Sequence, residues 1–76
     1  MNEAAYNTLV DAVHHLMKLE KWEQASILNR MRIRMLLDPG LQFRLYIEAA
    51  KIMKNDHCLQ EYAMRMYKII KEDMTI

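Results

Sequence analysis

His14, His15, His57 and Cys58 are the residues of this chain whose types invite metal or nucleophile chemistry. Asp11 and His15 stand four apart, so a helix would put them on one face, and an antiparallel last helix would bring His57 or Cys58 near the end of the first. Their spacing matches no established zinc pattern. His14 and His15 diverge by about 100° on a helix, and both fall on the polar side, where a solvated imidazole is the ordinary outcome. No metal and no cofactor is expected. A nucleophilic Cys58 would need a base and an oxyanion site. A helix N-terminus would lower its pKa and His57 is adjacent, but adjacent helical side chains point apart. The plainer reading of Cys58 is a small, half-buried apolar residue. Gly-rich phosphate loops, Ser-centred elbows and paired-carboxylate motifs do not occur, and an enzyme is not expected.

Charge offers a second kind of chemistry. The net charge is +1, but residues 1–29 carry two Lys against four acids, residues 30–54 six basic residues against two acids, and residues 55–76 three against four. Arg30, Arg34 and Arg44 are the residues that would meet DNA or RNA. On a helix Arg30 and Arg34 share a face while Arg32 lies on the opposite one, and Glu23 and Glu48 dilute the field. With net charge near zero, counterion release would be modest unless a dimer doubled the patch.

These side chains need helices to position them. The 76 residues hold one Gly, one Pro and one Cys, whereas strong helix formers are plentiful, so an all-α fold is expected in a single domain over residues 1–76. A chain this short buries only about 60 to 65% of its unfolded surface, so its stability is expected to be thin. One cysteine allows no internal disulfide, which fits a reducing compartment. The polar, acidic start is no signal peptide and no apolar run approaches the roughly 20 residues that cross a bilayer, so a cytoplasmic protein is expected.

Apolar periodicity predicts helices over about residues 2–18, 22–37, 39–54 and 57–73, arranged as two antiparallel helical hairpins in a small bundle. Asn2 is the expected N-cap of the first, whose apolar side is Tyr6, Leu9, Val10, Val13, Leu16 and Met17. No breaker separates it from the second helix. A turn near Leu19 to Lys21 follows instead from length, because a 35-residue helix could not be covered by the rest of the chain. In the second helix Ala25, Leu28, Met31, Met35 and Leu36 should face inward. Arg32 falls within that apolar arc, so it must snorkel, pair with an acid or face a partner. Asp38-Pro39-Gly40 suits the start of a third helix, with Asp38 as cap. That helix should be the most buried: Phe43, Tyr46, Ala49, Ala50 and Met53 form its face, and Leu41, Leu45 and Ile52 widen it. After the turn and cap residues Asn55 and Asp56, Leu59, Tyr62, Ala63, Met66, Ile69 and Ile70 face the core, while residues 74–76 should fray.

A shift of 37 residues matches Tyr6, Leu9, Ala12, Val13 and Leu16 to Phe43, Tyr46, Ala49, Ala50 and Met53. The segment Lys18 to Ala25, followed by a helix and Leu37-Asp38-Pro39, resembles the turn, second helix and terminal Pro of a tetratricopeptide repeat over about half the chain. It departs from that pattern at bulky Val13 and in the second hairpin, which has no matching Pro. The resemblance implies paired helices whose concave surface binds peptides or other proteins.

Apolar residues reach 53% and methionines number eight in 76, more than a free-standing domain with so much surface per residue needs. Met17, Met31, Met35, Met53 and Met66 fit core positions, while Met64 falls on the polar face. Methionine adapts equally to cores and to irregular partner surfaces. The expectation is a protein-interaction module, an adaptor, inhibitor or small chaperone, meeting another protein or a second copy of itself in a homodimer. Trp22, Arg32, Ile33, Leu41, Leu45 and Ile52 are its expected contacts. The alternative is a small dimeric regulator binding nucleic acid through the basic segment 30–54.

Overall fold

The computed structural model describes residues 2–74. Within them lie four α-helices, α1 (Glu3–Lys18), α2 (Trp22–Leu37), α3 (Gln42–Lys54) and α4 (Gln60–Met74), with single 3-10 turns at Pro39–Leu41 and His57–Leu59 before α3 and α4. Helix α1 starts where expected. Asn2 is extended and its side chain accepts the Ala5 N–H at 3.1 Å, which satisfies one of the amides a helix start leaves open.

The α1–α2 turn forms without Gly or Pro. The Lys21 N–H reaches the Leu16 carbonyl at 2.9 Å and the Glu20 N–H reaches Met17 at 3.0 Å, the paired bonds of a Schellman ending. Glu20 takes the left-handed position of that motif, with φ 59°, where glycine is usual because a Cβ is crowded there. Around the Pro, Asp38 does not cap through its side chain, contrary to expectation. Its carbonyl instead accepts the Leu41 N–H at 3.1 Å, and α3 proper starts only after the 3-10 turn. Asp56 does cap, accepting the Cys58 N–H at 2.9 Å. Gln60 Nε2 donates to the carbonyls of Lys54 and Asp56, tying the end of α3 to the start of α4.

Helix α1 packs on α2 and α3 on α4, giving the two expected hairpins, and α1 also meets α4 while α2 meets α3. The pairs Asn2–Asp73, Asp11–Arg65 and Lys21–Cys58 run in opposite order along α1 and toward the start of α4, so these helices are antiparallel. The hairpins therefore close into a four-helix ring and do not simply follow one another as stacked repeats do. Leu9, Leu16, Leu28, Met35, Met53, Leu59 and Met66 fill its centre, each fully buried and each contributing roughly 1.5 to 3 kcal/mol of transfer free energy. Ala5, Ala12, Ala49 and Ala50 are also buried, and let the helices approach closely. Among the described residues, no helix is long and apolar enough to cross a membrane.

The ring corrects several inward assignments. Met17, Leu36 and Phe43, expected in the core, are exposed, because each lies on a flank of its helix beyond the arc its neighbours cover. Helix α3, expected to be the most buried, shares that place with α1: five of its 13 residues are buried against six of 16 in α1. Leu45 is corrected the other way. Expected as a partner contact, it is only 6% exposed, because α2 packs over the side of α3 from which it projects.

Candidate functional site

The apolar side of α1 is two adjoining stripes. At 100° per residue Ala5, Leu9, Ala12 and Leu16 form one, which is fully buried in the ring. Tyr6, Val10, Val13 and Met17 form the next, turned roughly 80° to 100° away. Only Val13 in this second stripe is buried; Tyr6 and Val10 are half-buried and Met17 is exposed. Helix α2 runs antiparallel alongside, with Trp22, Ala25, Asn29 and Arg32 facing the same gap. Between them lies an open groove of about 710 Å³, rimmed by Asn7, His14 and Ser26. From Tyr6 to Met17 it is roughly 16 Å long, eleven residues at about 1.5 Å each.

The two ends of the groove differ. At one, Trp22 begins α2 and is 58% exposed, a large amphipathic ring left mostly in water. At the other, Arg32 is half-buried and held in place. Its Nε donates to Asn29 Oδ1 at 2.8 Å and its Nη1 donates to the Tyr6 hydroxyl oxygen at 2.7 Å, with the guanidinium 6.0 Å from the Tyr6 ring centre. Both acceptors are neutral. No carboxylate lines the groove, and among the described residues Arg32 makes no ion pair. Of the five N–H donors on a guanidinium, two are thus engaged and the charge is uncompensated.

The other anticipated contacts are dispersed. Leu41 and Leu45 line a smaller crevice between α2 and α3, of about 160 Å³, together with Arg34, Arg44 and Glu48. Arg44 pairs there with Glu48 at 3.6 Å. Arg30, Ile33 and Ile52 are exposed and line neither the groove nor that crevice. Of the six partner contacts expected, Trp22 and Arg32 share the groove, Leu41 and Leu45 share the smaller crevice, and Ile33 and Ile52 line neither.

The residues singled out for metal or nucleophile chemistry are spread between two places. Asp11 pairs with Arg65 at 3.5 Å, Arg65 lies over the Tyr62 ring, and His15 packs on the same ring at 5.4 Å. Cys58 does come close to the end of α1, as the antiparallel arrangement requires, but its neighbour is a cation: Lys21 Nζ donates to Sγ at 3.0 Å and stands 3.9 Å from Asp56. The hydrogen bond to Cys58, followed by the field of Cys58 and Asp56, raises the Lys21 pKa above its ordinary value against an opposing desolvation. His57 is exposed. Among the described residues no three His, Cys, Asp or Glu side chains converge to hold a metal.

No family model, curated protein or solved structure matches the chain.

By apolar periodicity alone Tyr6, Val10 and Met17 belong to the core face of α1. The signal that separates them is present in the pattern: small Ala5 and Ala12 complete a narrow stripe with Leu9 and Leu16 that suffices for helix packing, which leaves the second stripe over. Asn29 gives no such signal, since its role depends on where Tyr6 falls across the hairpin.

Proposed function

We propose that this protein is a non-enzymatic interaction module, an adaptor, inhibitor or small chaperone, that docks a partner protein in the α1–α2 groove and works in the reducing cytoplasm. The observation that carries this reading is the second apolar stripe of α1: Val10 and Met17, opposite an exposed Trp22, form an apolar strip within a concave surface of mixed polarity that the chain's own helices leave open. Apolar surface rimmed by polar groups is the ordinary form of a protein docking site, and an accessible Trp at its end is the residue type that most often dominates binding energy. Met17 adds an adaptable side chain.

Trp22→Ala and Met17→Ala test it. Both side chains are largely outside the ring, so circular dichroism should show an unchanged fold. Co-purification of the native partner should fall at least about tenfold, a loss of roughly 1.4 kcal/mol for a central contact. Ile52→Ala, on another surface, should leave it unchanged. The reverse pattern would refute the groove.

One observation favours a second reading. Arg34 and Arg44 line the same crevice and Arg30 shares the outer face of α2, which gives a basic side to a nucleic-acid regulator. Glu48 on Arg44 weakens it. A salt titration separates the two: binding through phosphates collapses between low and moderate salt, whereas binding through the groove changes little.

A further inference from the structure

We infer that the occupant of the α1–α2 groove is an acidic amphipathic helix of another protein, which sets its apolar side chains along Val10, Met17 and Trp22 and a carboxylate on Arg32. This rests on the groove being the docking surface, and it goes further by fixing the secondary structure and the charge of what docks.

The backbone fixes the secondary structure. Both walls are helices whose own backbone groups are paired along their length, and the described residues contain no strand edge to which an extended segment could add. An extended peptide entering the groove would strip water from its amides and find only the side chains of Asn7, Ser26, Asn29 and their neighbours. A helix brings its backbone bonds already made. Its apolar positions at i, i+4, i+7 and i+11 cover about three turns, roughly 16 Å, which is the length of the groove.

Arg32 fixes the charge. Covering a half-buried guanidinium with an apolar partner removes its water and returns nothing, and a neutral acceptor returns a bond but leaves the charge, whereas a carboxylate restores the lost interaction through charge-assisted bonds. The intramolecular partners of Arg32, Tyr6 and Asn29, hold it in place without neutralising it. A second copy docked groove against groove does not meet the requirement, since that arrangement brings together Arg32 and His14 with no acid from either side. A phosphate backbone would satisfy Arg32 but not Val10, Met17 and Trp22.

The test uses the whole chain and a displayed library of helix-biased peptides, each about sixteen residues long so as to exceed the groove by a turn. Selected peptides should share aliphatic residues at i, i+4, i+7 and i+11 with an Asp or Glu toward one end, and the amides they perturb should lie along α1 and α2. Arg32→Gln should weaken such a peptide about tenfold, and changing the peptide's acid to its amide should do the same on the unaltered chain. Combining the two changes should add little to either. Arg32→Lys should retain part of the affinity, since it keeps the charge and loses the fork. Peptides that bind in the groove without an acid, or that ignore both changes, overturn this inference and leave the groove as a docking surface. Perturbed amides elsewhere, the selection of no peptide, or a dimer that Trp22→Ala dissociates overturn the inference together with the docking surface as proposed.

Discussion

Arg32 is half-buried between α1 and α2, where its guanidinium bonds Tyr6 and Asn29. An arginine inside an apolar arc demands an explanation at the level of the sequence, and a helical period is enough to place it there. Its partners are not legible in the same way: Tyr6 is 26 positions away, and only the register of the α1–α2 hairpin brings its hydroxyl to the guanidinium. Tyr46 shows what burial does to a polar side chain elsewhere in the bundle. It is 3% exposed, and burial raises its pKa above the usual phenol value, aided by the charge of Asp73. A raised folded pKa means that the folded state holds the proton more tightly. The associated stability is therefore complete below the unfolded value near 10 and is lost as pH rises through the folded one. Thermal melts of the wild-type chain should fall progressively above about pH 10, and Tyr46→Phe should flatten part of that decline. An identical decline in both proteins would remove Tyr46 as its cause.

At the scale of elements, the turn that makes the first hairpin is held by backbone geometry that no turn residue announces. Length and coverage alone require a turn at Leu19 to Lys21, and Glu20 occupies its left-handed position at a cost of roughly 1 to 2 kcal/mol. Glu20→Gly removes that cost and adds roughly 0.5 to 1 kcal/mol of unfolded-chain entropy, so it should stabilise the protein by about 0.5 to 1 kcal/mol in denaturant unfolding. A destabilised variant would contradict the strain assigned to this turn. The opposite change tests the start of α1: Asn2→Ala deletes the acceptor for the Ala5 N–H and should cost about 1 kcal/mol. The four helices were legible because amphipathic period and the Asp38-Pro39 punctuation agree with the fold. Which of their apolar residues stay outside was not, because that depends on which flank each neighbour covers. Leu45 and Met17 are both side residues by period, and only the packing of α2 over α3 and the gap beside α1 separate them.

For the whole molecule, 76 residues support roughly 4 to 11 kcal/mol of stability. A core truncation such as Leu28→Ala, at a fully buried site, should remove about 2 to 5 kcal/mol and leave a substantial unfolded population. Several large apolar side chains stay exposed, Leu37 and Met64 most of all, and of the exposed ones Met17 and Trp22 come together in the open groove. That convergence of uncovered apolar side chains is the central reason for reading the α1–α2 groove as a docking surface. Site-specific photo-crosslinking in the native host tests it most directly, with the photoreactive side chain placed in turn at Met17 in the groove, at Ile52 on α3 and at Met64 on α4. A single discrete adduct from Met17, lost when Trp22→Ala is added and absent from the other two positions, is the expected result. An adduct that forms from Ile52 or Met64 and not from Met17 would contradict the account.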